Sequence, residues 1–314
     1  MKNEKVHKSL CAISTSWRAD IIADAHELAS AIKETGISNL ELEFRVSAKT
    51  FGNIKKNRGK WGITIVSLHA VCPSLPERGK SAERFLICDA DEDNRARGIK
   101  DVLKTLRNAA DVGARAVVVH CGRVPMEDPF YKVINLYGQG KLGTAETQVV
   151  MHEMMTQRGI KAEKCLPGLL KSIDKLNAEA EKLGVSIGIE NRYYYAEFPD
   201  MDELEIILSR FDGGKIGYWH DTGHAHVMET LYGVQQKKLL EKFGNHLIGI
   251  HLHDVQNGYT DHNEPGSGEV DFDMIRPFLK EDTIRVMELN KRVSLEGAVS
   301  GIEFLREKGI FPPE

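Results

Sequence analysis

Residues 182–191 read Lys-Leu-Gly-Val-Ser-Ile-Gly-Ile-Glu-Asn. Upstream of them, residues 163–182 carry apolar side chains at three- and four-residue spacing with charged ones opposite, the pattern of an amphipathic helix. Gly184 stands where that helix should end, because glycine enters the left-handed cap conformation without a Cβ penalty. The Val/Ile-rich run behind it is the kind a parallel strand shows when both of its faces are buried. Glu190 then puts an ionisable group at the end of an apolar strand. The unit is helix, glycine, strand, carboxylate.

Outward from this stretch the unit recurs. Short runs rich in Val, Ile and Leu fall at 10–14, 39–44, 63–68, 114–119, 185–189, 215–219, 247–250 and 284–287, eight in all. The clearest amphipathic stretches are 21–34, 91–111, 163–182 and 295–308, followed by Gly36, Gly113, Gly184 and Gly309. Eight alternations of strand and helix favour a closed (β/α)8 barrel, the TIM barrel, over an open sheet. No composition break divides the chain, so residues 1–314 read as one TIM-barrel domain. The rhythm breaks at 122–160, where Pro125, Pro129, Gly138, Gly140 and Gly143 predict an extended loop inserted over the active face as a lid or substrate contact.

Composition narrows the function classes. Hydrophobic residues at 41% and charged residues at 28% are ordinary for a globular enzyme with a sizeable core. No apolar run approaches the roughly 18 residues of a membrane span, and Met1 to Ser9 lacks the apolar core of a signal peptide. The five cysteines form no C-x-x-C pair, and an odd count fits a reducing compartment. A cytoplasmic enzyme is therefore expected, with no membrane partner and with assembly into a homo-oligomer left open. A net charge of −4 offers no global attraction to nucleic acid.

Metal-ligand residue types follow the strand runs. His69 follows the third, His120 the fourth, Glu190 the fifth, His220 and Asp221 the sixth, His251 the seventh and Glu288 the eighth. In a barrel those positions share the C-terminal rim, where side chains from different strands converge. With 12 histidines and 46 acidic residues in 314, six consecutive strand ends carrying them is a strong pattern. Asp221-Thr-Gly-His224 spaces a carboxylate and an imidazole about one turn apart at a helix start, able to face one ion. In His251-Leu-His253-Asp254 the two histidines share a strand face; one is expected to bind metal while Asp254 orients an imidazole. Arg192 and Tyr193, just after Glu190, are candidates to fix an anionic group and to stack on a sugar or a base. Trp17 and Glu43 are candidates to border the pocket. Glu41 and Glu43 both fall on the second strand, and one of them is expected to make a structural ion pair.

Taken together, Glu190-Asn191, Asp221-Thr-Gly-His224, His251-Leu-His-Asp254 and Glu288 resemble the xylose-isomerase-like barrel superfamily, which includes sugar isomerases and epimerases, inosose dehydratases and the endonuclease IV type of apurinic-site nuclease (AP endonuclease family 2). In the epimerases the resemblance implies one divalent ion, Mn or similarly Zn, Co or Mg, held by Glu190, Asp221, His251 and Glu288. One nitrogen and three carboxylates also suit such an ion chemically. In the nuclease branch it implies three zinc ions on a larger set, matched in order here by His69, His120, Glu190, Asp221, His224, His251, His262 and Glu288. Thr260 stands where that branch has an aspartate ligand, which puts the third ion in doubt. The segment from Asp261 to Glu269 resembles the family loop whose glycines admit close approach of substrate.

These residues imply a metal-dependent isomerase or epimerase of a sugar or polyol derivative, with Glu190 and Glu288, on opposite sides of the mouth, exchanging the proton and the ion stabilising an enediolate. His224 and Arg192 would position oxygens. The rivals are phosphodiester hydrolysis at abasic DNA, an inosose-dehydratase-like lyase and a barrel that only binds its ligand.

Overall fold

The computed structural model describes residues 10–74 and 86–313, so the reading of Met1 to Ser9 lies outside the described residues. In chain order the strands are β1 (Cys11–Ser14), β2 (Asn39–Leu42), β3 (Thr64–His69), β4 (Ala116–Val119), β5 (Ser186–Glu190), β6 (Ile216–Asp221), β7 (Leu247–Leu252), β8 (Asp254–Gln256), β9 (Thr260–Asn263) and β10 (Ile284–Met287). Eight of them pair in parallel and close in the order β1-β10-β7-β6-β5-β4-β3-β2. The remaining two, β8 and β9, form an antiparallel hairpin past the end of β7. The expected (β/α)8 barrel is the observed fold, with each strand run within two residues of its sequence-read start and end.

The helices are α1 (Ala25–Lys33), α2 (Ala48–Trp61), α3 (Glu92–Val112), α4 (Phe130–Gly138), α5 (Ala145–Leu183), α6 (Met201–Arg210), α7 (Thr222–Tyr232), α8 (Gln236–Phe243), α9 (Phe272–Ile275) and α10 (Leu295–Glu307). Their ends follow local chemistry: the Asp91 side chain accepts from Asn94 N–H at the start of α3, and Gly113 closes it at φ +77°. Periodicity did not single out α2 because only Thr50, Phe51 and Ile54 of its 14 residues are buried. The expectation of an extended loop at 122–160 is corrected. Its prolines lead into α4, Gly140 and Gly143 separate α4 from α5, and α5 starts at Ala145 under a Thr144 cap instead of at residue 163. No helix among the described residues is long and apolar enough to cross a membrane.

Alternation along the strands produces two separate apolar cores. Ile13, Leu40, Ile65, Val117, Ile187, Tyr218 and Met287 join the large core between strands and helices. Their strand neighbours Ala12, Val66, Ala116, Val118, Trp219 and Val286 make a smaller one, the inside of the barrel. Trp219 occupies so much of that interior that a Cβ on Gly188 of β5 would lie 2.7 Å from its ring, and one on Gly249 of β7 only 2.1 Å. Both flanking strands therefore need glycine at this level. Two residues further along the same inward faces stand Glu190, Asp221 and His251. The indole floor sets the layer on which the polar groups rest.

Candidate metal centre

Glu190 ends β5, Asp221 ends β6, His251 lies in β7 and Glu288 directly follows β10, so four strands aim their side chains at one point. Each offers a ligand atom, and these atoms lie within 4.8 Å of one another. All four residues are buried. Nδ1 of His251 is 2.6 Å from Glu190, 3.0 Å from Glu288 and 3.6 Å from Asp221, while its Nε2 donates to Glu41 at 3.1 Å. Burial alone would push this imidazole toward its neutral form, yet Glu288, Glu41, Asp221 and Glu190 hold its pKa well above the ordinary value. Burial would likewise raise Glu190, but Arg192, with His120, His251 and His69, keeps it well below the carboxylate range. Glu288 is lowered to about 2, against its burial, by His251, His262 and His69. Three ionised carboxylates thus crowd one imidazole, and the donor set fits a divalent cation: an oxygen-rich, charge-rich site in which Glu190, Asp221 and Glu288 face the protonated His251, with Arg192 reaching Glu190 from the cavity side.

Two further clusters flank this one. His69 and His120 meet edge to face with ring centroids 4.6 Å apart, and His120 Nε2 is 2.8 Å from the outer Glu190 oxygen. With Glu190 they form a second possible ligand set. On the far side of Asp221 stand His224, His253 and His262. Here the nitrogens are largely engaged. His253 Nδ1 accepts the backbone N–H of His262 at 2.9 Å, its Nε2 donates to Asp221 at 2.9 Å, and its ring stacks on His262 at 4.1 Å. Nδ1 of His224 donates to Asn191 O at 3.1 Å, and burial lowers its pKa to about 4. His262 pairs with Asp261 at 3.1 Å and is raised to about 9 despite its burial.

A cavity of about 560 Å³ opens above Glu190 and Glu288, walled by Arg45, Arg123, Arg192, Tyr193 and Tyr194. The Arg192 guanidinium reaches Glu190 at 2.6 Å and Glu197 at 3.3 Å. Tyr193 and Tyr194 pack under Phe130 of α4 with centroids 5.4 and 4.8 Å away, so the insertion shapes this wall. A second support comes from α5. Arg158 spends all its donors on Tyr195 O, Glu197 O, Asp200 and both oxygens of Glu203, at 2.7 to 2.9 Å. The loop that carries Arg192, Tyr193 and Glu197 is thereby tied to the insertion.

The model of the family described as "Xylose isomerase-like TIM barrel" matches residues 29–308. This chain belongs to that family. Among solved members of the same fold, a D-tagatose 3-epimerase-like protein is 20% identical, with 95% of this chain and 96% of that one covered at a TM-score of 0.67. The IolI protein, solved with a bound zinc atom, is 14% identical over 96% and 99% at a TM-score of 0.67. The chain spans about half the length of the curated relatives it matches: an uncharacterised protein of Methanocaldococcus jannaschii is 28% identical over 135 residues, 41% of this chain and 49% of its own.

Within this xylose isomerase-like barrel several expected site residues lie elsewhere. Trp17 is buried and its indole N–H donates to Val293 O at 2.9 Å; it packs in the outer core and does not border the cavity. Glu43 is the carboxylate of the expected structural ion pair, 2.7 Å from Arg45, and burial raises it to about 8. Glu41, its alternate on β2, faces inward instead and bonds to His251 and Ser67. His220 turns outward, one residue from Asp221, held between Tyr218 at 2.6 Å and Gln236 at 3.0 Å. Asp254 orients no imidazole: it accepts from the N–H groups of Val255, Gly266 and Val270 and so folds the loop after β8. The glycines of that loop answer to the protein itself, since a Cβ on Gly268 would lie 2.1 Å from Val255 O and one on Gly266 2.7 Å from Phe304. His224 caps onto Asp221 through its backbone N–H and brings its Nδ1 within 3.5 Å of the same carboxylate, while the two residues fall in different candidate ligand groups. Glu190 and Glu288 stand three strand positions apart around the barrel, not opposite. Arg158 and Glu197 carried no local sequence signal, because their roles depend on a helix and a loop far apart in the chain.

Proposed function

We propose that this barrel is a divalent-metal-dependent isomerase or epimerase of a sugar or sugar derivative, working by proton transfer next to a carbonyl. The observation that carries the reading is the pair Glu190 and Glu288: both are held ionised, both approach the same His251 nitrogen, and both line the one cavity. A cation held by Glu190, Asp221, His251 and Glu288 would supply charge stabilisation at a substrate carbonyl and its neighbouring hydroxyl. One ionised carboxylate takes the proton from the carbon beside the carbonyl and becomes the carboxylic acid; that acid, or the other glutamate once the proton has reached it through a substrate hydroxyl, returns it to the same or the adjacent carbon. Arg192 keeps Glu190 in its basic form, and Tyr193 and Tyr194 screen the cavity from water. The likeness in fold to a D-tagatose 3-epimerase-like protein and to a zinc-bound barrel supports the same class.

The test is proton exchange. Protein loaded with Mn(II) and incubated in D2O with a series of ketoses should incorporate deuterium beside the carbonyl, stop on addition of chelator and resume with metal. Metal binding without exchange on any ketose or ketose derivative would remove the reading. Loss of water from a keto-polyol after the same exchange would move it to the lyase branch. A second reading has its own support in His69, His120 and Glu190, a ligand set beyond the needs of one ion. Chelator-sensitive nicking of abasic duplex DNA would establish phosphodiester hydrolysis in its place.

A further inference from the structure

We infer that the cavity contains a subsite for an oxyanion substituent, a carboxylate or phosphate carried by the sugar, built by Arg123 and Arg45. The inference rests on the sugar reading above and names the class of sugar. Three guanidiniums line the cavity, and they are not equivalent. Arg192 is committed to Glu190 and Glu197. Arg123, with a side chain 57% exposed, has Glu197 at 3.9 Å, outside hydrogen-bond reach, and Asp128 near enough to feel its charge. Arg45 gives one terminal nitrogen to Glu43 at 2.7 Å, leaves Nε 3.6 Å from Asp20, and lies 4.2 Å over the Phe44 ring, which fixes the plane of its fork. Its second terminal nitrogen makes no hydrogen bond among the described residues. Two cationic forks therefore face the cavity with donors to spare.

Their place in the barrel separates them from the chemistry. Arg45 follows β2 and Arg123 follows β4, the two neighbours of β3, whereas the four-residue acidic centre rises from the arc β5, β6, β7 and β10. A substrate spanning the mouth would put its reacting carbon over Glu190 and Glu288 and its far end between the arginines. The described lining that Arg45 and Arg123 share contains no amide and no aliphatic hydroxyl, the neutral donors and acceptors that commonly fix a polyol; Ser16 and Asn290 belong to a smaller recess of about 130 Å³ that shares Arg45, His262 and Glu288. Planar guanidinium forks match the paired oxygens of carboxylate and phosphate, and hold them in a set orientation.

Calorimetry on the full chain loaded with Mn(II) tests this with three probes: D-ribulose, D-ribulose 5-phosphate and D-fructuronate. At least one anionic probe should bind tenfold or more tighter than D-ribulose, and which one does so separates phosphate from carboxylate. Arg123→Met and Arg45→Met should each remove most of that advantage while leaving the affinity for D-ribulose within about twofold. Arg123→Lys, which keeps the charge but not the fork, should restore part of it and guards against a folding defect. Absence of any anionic preference, including no binding of all three probes, overturns the inference, as does a preference that survives in the double Met variant. Tighter arginine-dependent binding of an abasic duplex than of either anionic sugar would also overturn it. Equal proton exchange on neutral and anionic ketoses sinks this inference alone. Arginine-dependent binding without exchange sinks only the isomerase reading.

Discussion

Asp221 stands between two groups of ligand-type side chains that differ in what their atoms are free to do. On one side, Glu190, Glu288 and Asp221 itself surround Nδ1 of His251, and the ionised carboxylates outnumber the cations they touch. On the other, His253 has both ring nitrogens hydrogen-bonded, His224 donates to a backbone carbonyl, and His262 is already paired with Asp261. Both groups bring their atoms within 4.8 Å, so proximity does not distinguish them. Uncompensated charge does. A cation entering the first cluster replaces the proton on an imidazole held well above its ordinary pKa; one entering the second must take a nitrogen of His253 from its hydrogen bond to His262 N–H or to Asp221 and displace a proton of His262. Thr260, exposed at the start of β9, adds no carboxylate there.

The comparison can be broken in several ways. The largest effect is expected from Glu288→Gln, which keeps the size of the side chain but removes charge and basicity: turnover should fall by about 10^3-fold with the circular dichroism and melting temperature of the wild type. Near-normal turnover would mean that the acidic cluster is not the reacting one. Gly249→Ala tests whether the floor holds that cluster in place. Its new Cβ meets Trp219 at 2.1 Å, so urea denaturation should show a loss of about 3 kcal/mol, accompanied by weaker metal binding through the displacement of His251.

Metal titration sharpens the contrast directly. One tight ion is expected, abolished by His251→Ala and untouched by a combined His224→Ala, His262→Ala change, with any second ion lost in His69→Ala or His120→Ala. At a free metal concentration of about 100 times Kd the tight ion should add about 2.7 kcal/mol to stability. Three fully occupied ions would erase the distinction between the clusters.

The smallest expected effect concerns His220, the ligand-type residue that faces away from both clusters. Burial lowers it to about 3, so the folded chain keeps it neutral where the unfolded chain begins to bind a proton, near its ordinary value of 6.5. Stability from this group is complete above pH 6.5 and is lost as pH falls toward 3, by about 2 kcal/mol at pH 5. His220→Gln should flatten that part of the stability-against-pH curve measured by denaturant titration. An unchanged acid slope would show that the imidazole is solvated.

Much of this molecule is determined by local sequence. Strand runs, capping glycines and strand-end carboxylates are local features, and the barrel follows because alternating parallel strands and helices have few other ways to bury both faces. Glu190, Asp221, His251 and Glu288 could be picked out as candidate ligands because each lies at or beside the end of a strand, and strand ends share a rim. Turn chemistry was less legible: Pro125 and Pro129 precede α4, Gly138 ends it, and Gly140 and Gly143 separate it from α5, so these residues punctuate two helices and do not mark one long loop. What only the tertiary structure decided is which of many suitable residues have partners. Trp17, Glu43, His253 and Asp254 are polar or aromatic groups near the mouth by sequence, yet each is committed to a neighbour brought close by folding, respectively Val293 O, Arg45, the Asp221–His262 pair and the loop after β8. A residue type states what bonds a side chain can make; whether those bonds are already taken depends on contacts between segments as much as 276 residues apart, which no local pattern records.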